Sequence, residues 1–186
     1  MGGRLLTRKR KRRVPQFLQG KLTRKSFGIR HHHLLVRMES LVCPHADDKA
    51  KAARLVDQLL EDIDMKPLGK TRVYYVKVPD YNEGLTAITP IQTSHIAFHF
   101  WNRPDKAIMN DPRNHCLLQF DLYTCGTLNM RQVGRILEHL SGYGPRHVDI
   151  TLLNRNRSLD IEKRATYDYG KTHLAWPAWI RQFISA

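Results

Sequence analysis

Between residues 93 and 101 the chain alternates. Ile96, Phe98 and Phe100 fall on one side and His95, Ala97 and His99 on the other, the pattern of a strand with one buried face. Ser94 stands at its start. Downstream, the apolar run Leu117-Leu118-Gln119-Phe120 leads into Asp121-Leu122-Tyr123-Thr124-Cys125-Gly126, so Cys125 falls where a strand gives way to a turn. Further strands are predicted at 33–36, at 71–78, where β-branched and aromatic residues dominate, and at 148–153. Apolar residues at 52, 53, 56, 59, 60 and 63 keep the helical period and predict an amphipathic helix over 46–63, with Asp47 and Asp48 near the positive end of its dipole. A second helix follows Asn129 as cap, with Met130, Val133, Ile136, Leu137 and Leu140 as its stripe and Gly142 or Gly144 as its stop.

Pro67-Leu68-Gly69 breaks the chain, 79–84 turns it, and 102–116, rich in Asn, Asp and Pro, reads as a loop. Pro90 weakens a central strand over 85–91 and suggests an edge or an irregular approach to Ser94. The order β-α-β-β-β-α-β, without sustained βαβ alternation, predicts an α+β two-layer sandwich with helices on one face of a mainly antiparallel sheet. Residues 156–186 look less regular. Their aromatics, Trp176, Trp179 and Phe183, are expected to dock on the domain or on a partner.

Charge divides the chain further. The 186 residues suit one domain, and 41% hydrophobic with 26% charged residues is ordinary for a globular protein, but the net charge of +14 is not. Residues 1–30 hold eleven Lys or Arg and no Asp or Glu, which leaves 20 basic against 17 acidic residues elsewhere. The expected organisation is a basic tail at 1–30, a domain at 31–155 and an aromatic-rich extension at 156–186. The block Arg8-Lys9-Arg10-Lys11-Arg12-Arg13 repels itself and has no apolar period with which to bury a face. Three readings fit it: contact with nucleic acid or another polyanion, a targeting peptide, or a solvated extension without consequence.

No run reaches the roughly 18 apolar residues of a membrane span, and no secretory signal is legible, so a cytoplasmic protein is expected. Three cysteines, at 43, 116 and 125, lack metal-type spacing and are expected as free thiols. His31-His32-His33 reads as the start of a strand rather than a metal site. His95 and His99 lie about 13 Å apart on a strand, too far to share one ion.

The serine strand and the cysteine turn resemble those of the prokaryotic S-adenosylmethionine decarboxylases, pyruvoyl-dependent enzymes that cut their own chain before a serine. Ser94, His95, Ile96, His99, Asp121, Thr124, Cys125 and Gly126 match that family's blocks, Gly84-Leu85-Thr86-Ala87 resembles its Gly-Val-Thr-Gly, and His33-Leu34-Leu35-Val36 resembles its opening strand. The resemblance covers roughly residues 31–155. It implies that Ser94 becomes the pyruvoyl group after cleavage of the Thr93-Ser94 bond. In the same reading His99 moves protons during processing, Thr86 is its hydroxyl-bearing helper, and Cys125 reprotonates the substrate carbon. It implies no metal, a small-molecule amine or amino-acid substrate bound to the pyruvoyl carbonyl as a Schiff base, and, by analogy, a homodimer.

Departures accompany the match. Thr93 stands where the family commonly has Glu, and Arg37 where its opening strand usually has Asp. The family's ribose-holding Glu falls on Arg103 without a gap, or on Asp105 with a two-residue insertion, leaving Trp101 and Asp105 as candidate substrate contacts. Three functions follow. The first is decarboxylation of S-adenosylmethionine for polyamine synthesis. The second is pyruvoyl-dependent decarboxylation of a basic amino acid such as arginine or ornithine. The third is a non-enzymatic relative anchored to nucleic acid or a large assembly by its tail.

Overall fold

A computed structural model describes residues 30–78 and 82–186. Arg8 to Arg13, and with them every expectation for the basic tail, lie outside the described residues.

Among the described residues seven strands form one sheet: β1 His32–Ser40, β2 Arg72–Val78, β3 Asn82–Ile91, β4 Ser94–Trp101, β5 Cys116–Thr124, β6 Pro145–Asn154 and β7 Asp160–Asp168. The order is β2-β3-β4-β5-β1-β6-β7, and every pairing is antiparallel. Three helices, α1 Lys49–Asp62, α2 Met130–Leu140 and α3 Trp176–Ser185, complete an α+β two-layer sandwich. Alternation decides which residues go where. Leu34, Val36 and Met38 of β1, Ile96, Phe98 and Phe100 of β4, Leu118, Phe120 and Leu122 of β5, and Val148, Ile150 and Leu152 of β6 form one buried cluster with the apolar stripes of the helices. The other face of the sheet is polar or mixed, and it carries His33, Arg37, His95, His99, Asp121 and Asp149.

The helix ends follow their sequence signals. Asn129 caps α2, its side chain accepting from the Gln132 N–H at 3.0 Å while the Gln132 side-chain oxygen accepts from the Asn129 N–H at 2.9 Å. A 3-10 turn then runs to Gly144, whose φ of 66° is the left-handed stop that glycine adopts without strain.

Several expectations need correction. Residues 82–91 form a full strand, β3, paired with β2 over 82–88 and with β4 over 84–91. Pro90 is tolerated because β2 ends at the Arg72–Ile88 pair, so no ladder bond is asked of the missing N–H. The Pro90 carbonyl instead accepts from Leu68 N at 2.9 Å. Residues 156–186 are regular: β7 pairs with β6, and α3 packs on α2, burying Trp176, Ile180 and Phe183 in the common core. Cys43 and Cys116 are joined in a disulfide with Cα atoms 5.6 Å apart, and Cys125 alone is free. The antiparallel β1–β5 register, which ends on the Ser40–Cys116 pair, brings together two cysteines 73 residues apart. Linear spacing could not reveal that approach.

One buried carboxylate fixes the long 102–115 loop. Glu39, at the end of β1 and fully buried, accepts from the backbone N–H groups of Asn110 and Asp111, from the side-chain amides of Asn110 and Asn114, and from Arg37. Burial alone would raise its carboxyl. The Asn110 backbone donor and the others that converge on it hold it down to about 2 instead.

Candidate active site

Ser94 is the backbone anomaly of the site. Its φ of 148° lies in a region L-residues rarely occupy, and such strain, of order 1–3 kcal/mol, persists only where neighbours enforce it. Those neighbours are identifiable. The two-residue connection Gln92-Thr93 turns β3 into β4, and the Thr93 carbonyl is held by the Cys125 N–H at 2.8 Å. Gly126 packs on Thr93 so closely that a Cβ there would meet the Thr93 methyl at 3.1 Å. Its own N–H donates to the Thr124 hydroxyl at 2.9 Å.

The Ser94 hydroxyl meets Nδ1 of His95, a residue of the face away from the helices, at 3.2 Å. His95 Nε2 lies 3.0 Å from Asp121 Oδ1, and the other Asp121 oxygen takes His33 Nε2. His33 Nδ1 in turn faces the Arg155 guanidinium at 3.2 Å. Tyr123 sits in register between His33 on β1 and His95 on β4, with its hydroxyl 2.7 Å from His31 Nδ1 and Arg155 stacked over its ring at 4.4 Å. Burial alone would raise the Asp121 carboxyl, but the hydrogen bond and charge of His33, then those of His95, keep it below the ordinary carboxylate value. Asp121 is therefore an anionic acceptor with two imidazole partners.

The other predicted residues divide by position. Thr93, Ser94 and Cys125 meet at one end of the sheet. Thr86 and His99 pair across β3 and β4, with the hydroxyl 3.0 Å from His99 Nδ1, and Trp101 lies beside His99 with ring centroids 5.8 Å apart. His99 is five residues along β4 from Ser94, about 16 Å at strand rise, so the two do not meet within one protomer. Asp105 accepts from the Ala107 N–H at 2.9 Å and caps a short 3-10 turn, while Arg103 pairs with Glu83 at 3.3 Å. Among the described residues no group of three or more His, Cys, Asp or Glu is arranged to hold a metal ion.

Sequence reasoning quoted His95 and Asp121 only as motif matches and gave no role to His33, Tyr123 or Arg155. The available signal was parity: Gln119, Asp121 and Tyr123 are alternate polar positions of β5 and share a face. A cavity of about 300 Å³ borders Thr93, Thr124 and Gly126 on the side of α2. A larger one, about 460 Å³, lies at the far end of the sheet among 110–114, Arg146, His147 and 168–171, remote from the strained serine. The smaller borders Thr93 and Gly126 beside the strained bond, and neither Ser94 nor Cys125 is among its lining residues.

The fold and its site define a two-layer α+β protein built around a strained serine at the start of a central strand. The family model of S-adenosylmethionine decarboxylase matches residues 32–156, about two thirds of the chain, and the chain belongs to that family. The match begins at β1 and stops just after β6, so β7 and α3 lie beyond it. A search of curated proteins found no match.

Proposed function

We propose that the protein is a self-processing, pyruvoyl-dependent decarboxylase of S-adenosylmethionine, acting in the cytoplasm in polyamine synthesis. The observation that carries the proposal is the state of the Thr93-Ser94 bond: a strained serine whose preceding carbonyl already accepts a backbone N–H. Attack of the Ser94 hydroxyl on that carbonyl places negative charge on the Thr93 oxygen, where the Cys125 N–H is in position to stabilise it. Collapse converts the peptide to an ester and frees the Ser94 amine. Loss of the Ser94 Cα proton then expels the Thr93 carboxylate, and hydrolysis releases ammonia and leaves a pyruvoyl group at the new terminus.

These residues fit that group. Once formed, it supplies an electron sink for loss of the substrate carboxylate. The Cys125 thiol, half-buried and carried by the residue whose N–H holds the Thr93 carbonyl, is the acid that returns a proton to the substrate carbon in this reading. His99, oriented by Thr86, is the proton-transfer group of the elimination. The roughly 16 Å between His99 and Ser94 along β4 argues that this pair acts on a second copy of the chain, in a homodimer that stacks the two open sheet faces. Leu35, Tyr74, Val76 and Ile88 are exposed on that face and would be covered there. Trp101 and Asp105 then serve the substrate bound across the interface. The cationic block from Arg8 to Arg13 is proposed to contact nucleic acid or another polyanion.

The test is the intact mass of fresh protein under denaturing, reducing conditions, with and without a carbonyl-reactive reagent. Two chains, residues 1–93 and 94–186, with only the second labelled, are expected. A single mass that persists through long incubation refutes the proposal.

A further inference from the structure

We infer that His95 is the base that takes the Ser94 proton in the acyl shift, with Asp121 and His33 as the residues that set its tautomer and orientation. The inference rests on the reading of Ser94 as a self-processing serine, and it assigns a task that His99 is too distant to perform within the protomer.

The direction of the hydrogen bonds is fixed from the far end of the chain of side chains. Arginine only donates, so the Arg155 contact makes His33 Nδ1 an acceptor. The proton of neutral His33 is therefore on Nε2, where it is donated to Asp121. Asp121, a carboxylate, only accepts, so His95 Nε2 is also a donor. The lone pair of His95 is left on Nδ1, 3.2 Å from the Ser94 hydroxyl. A serine, an imidazole and an orienting carboxylate in that sequence are the arrangement that activates a hydroxyl nucleophile. The five members come from four places: His33 from β1, Ser94 and His95 from β4, Asp121 from β5, and Arg155 from just after β6.

The step balances without a further reactant. The Ser94 proton moves from Oγ to His95 Nδ1 as the Oγ–C bond to Thr93 forms, and the Thr93 oxygen takes up the charge against the Cys125 N–H. The C–N bond then breaks as His95 returns the same proton to the Ser94 nitrogen. The product is an ester with a free amine, and His95 is regenerated neutral. Imidazole catalysis of this kind contributes about 10²–10⁴-fold.

The test follows cleavage of the full chain by intact mass for wild type, His95→Asn and Asp121→Asn, with hydroxylamine added to parallel samples because it cuts esters and leaves amides. Wild type is expected to cleave. H95N is expected to slow at least 100-fold and to persist as an amide that hydroxylamine does not cut. D121N is expected to slow less, and the pH at which its rate falls on acidification should move downward, because the imidazole loses its anionic partner. The groups facing His95 are Asp121 and Tyr123 from β5, His33 from β1 and Arg155; its β3 neighbour, Pro90, does not titrate. H95N cleaving at the wild-type rate overturns the inference and leaves the pyruvoyl reading intact. Wild type that never cleaves overturns both. Should H95N lose its cooperative melt, D121N decides: a pH profile identical to wild type overturns the role of the Asp121–His95 pair.

Discussion

Replacing Ser94 by Ala and by Gly separates backbone strain from nucleophile chemistry, because neither variant has a hydroxyl and neither can cleave. At an ordinary strand position glycine is less stable than alanine by roughly 0.5–1 kcal/mol, since it loses more conformational freedom on folding. At Ser94 the φ of 148° reverses the comparison. Alanine keeps the Cβ and the associated strain, of order 1–3 kcal/mol, while glycine relieves it. The difference leaves S94G more stable than S94A by about 0.5–2 kcal/mol. For a chain of this size that corresponds to a melting temperature higher by about 1–8 °C. Differential scanning calorimetry on both variants under one buffer condition reads it directly. If S94A melts at or above S94G, the serine is not held in a strained conformation, and the argument that the bond is primed for rearrangement fails.

Glu39, held at about 2 against an ordinary 4.5, contributes stability that is present above pH 4.5 and lost as the pH falls toward 2. By linkage this amounts to about 3 kcal/mol, so Glu39→Gln should be markedly less stable at pH 7, and the gap to wild type in urea midpoints should close by pH 2. A gap that does not change with pH rules out the charge as its source. Gly84→Ala should cost about 1–3 kcal/mol in urea unfolding, because a Cβ there overlaps the Phe100 carbonyl across the β3–β4 ladder. Unchanged stability would mean that these strands part easily at Gly84.

The frame was legible wherever one face of an element is apolar. Alternation over Ile96, Phe98 and Phe100, the stripe from Val133 to Leu140 and the Asn129 cap each describe a local surface, and local surfaces are what periodicity encodes. β3 was hidden because Pro90 carries a rule about ladder donors whose exception depends on where a neighbouring strand ends. Residues 160–168 were missed because β7 is an edge strand with only Ala165 and Tyr167 turned into the core, too few to establish a period. Ser94, Cys125 and the Thr86–His99 pair were proposed as site residues through the family resemblance. His33, Asp121 and Arg155 meet only through the register of three strands joined across long connections, and register between distant strands is not written in any window of sequence.

Cutting the chain between Thr93 and Ser94 would divide it in sequence but not in space. The first piece supplies α1 and strands β1, β2 and β3, and the second supplies the other two helices and four strands. In the sheet, β1 of the first piece is clasped between β5 and β6 of the second, while β3 lies against β4. The Cys43–Cys116 bond has one sulfur in each piece. A chain cut there would be a single covalent molecule in an oxidising milieu and an interlocked pair of chains in a reducing one, so a denaturing gel would count one molecule or two according to the redox potential.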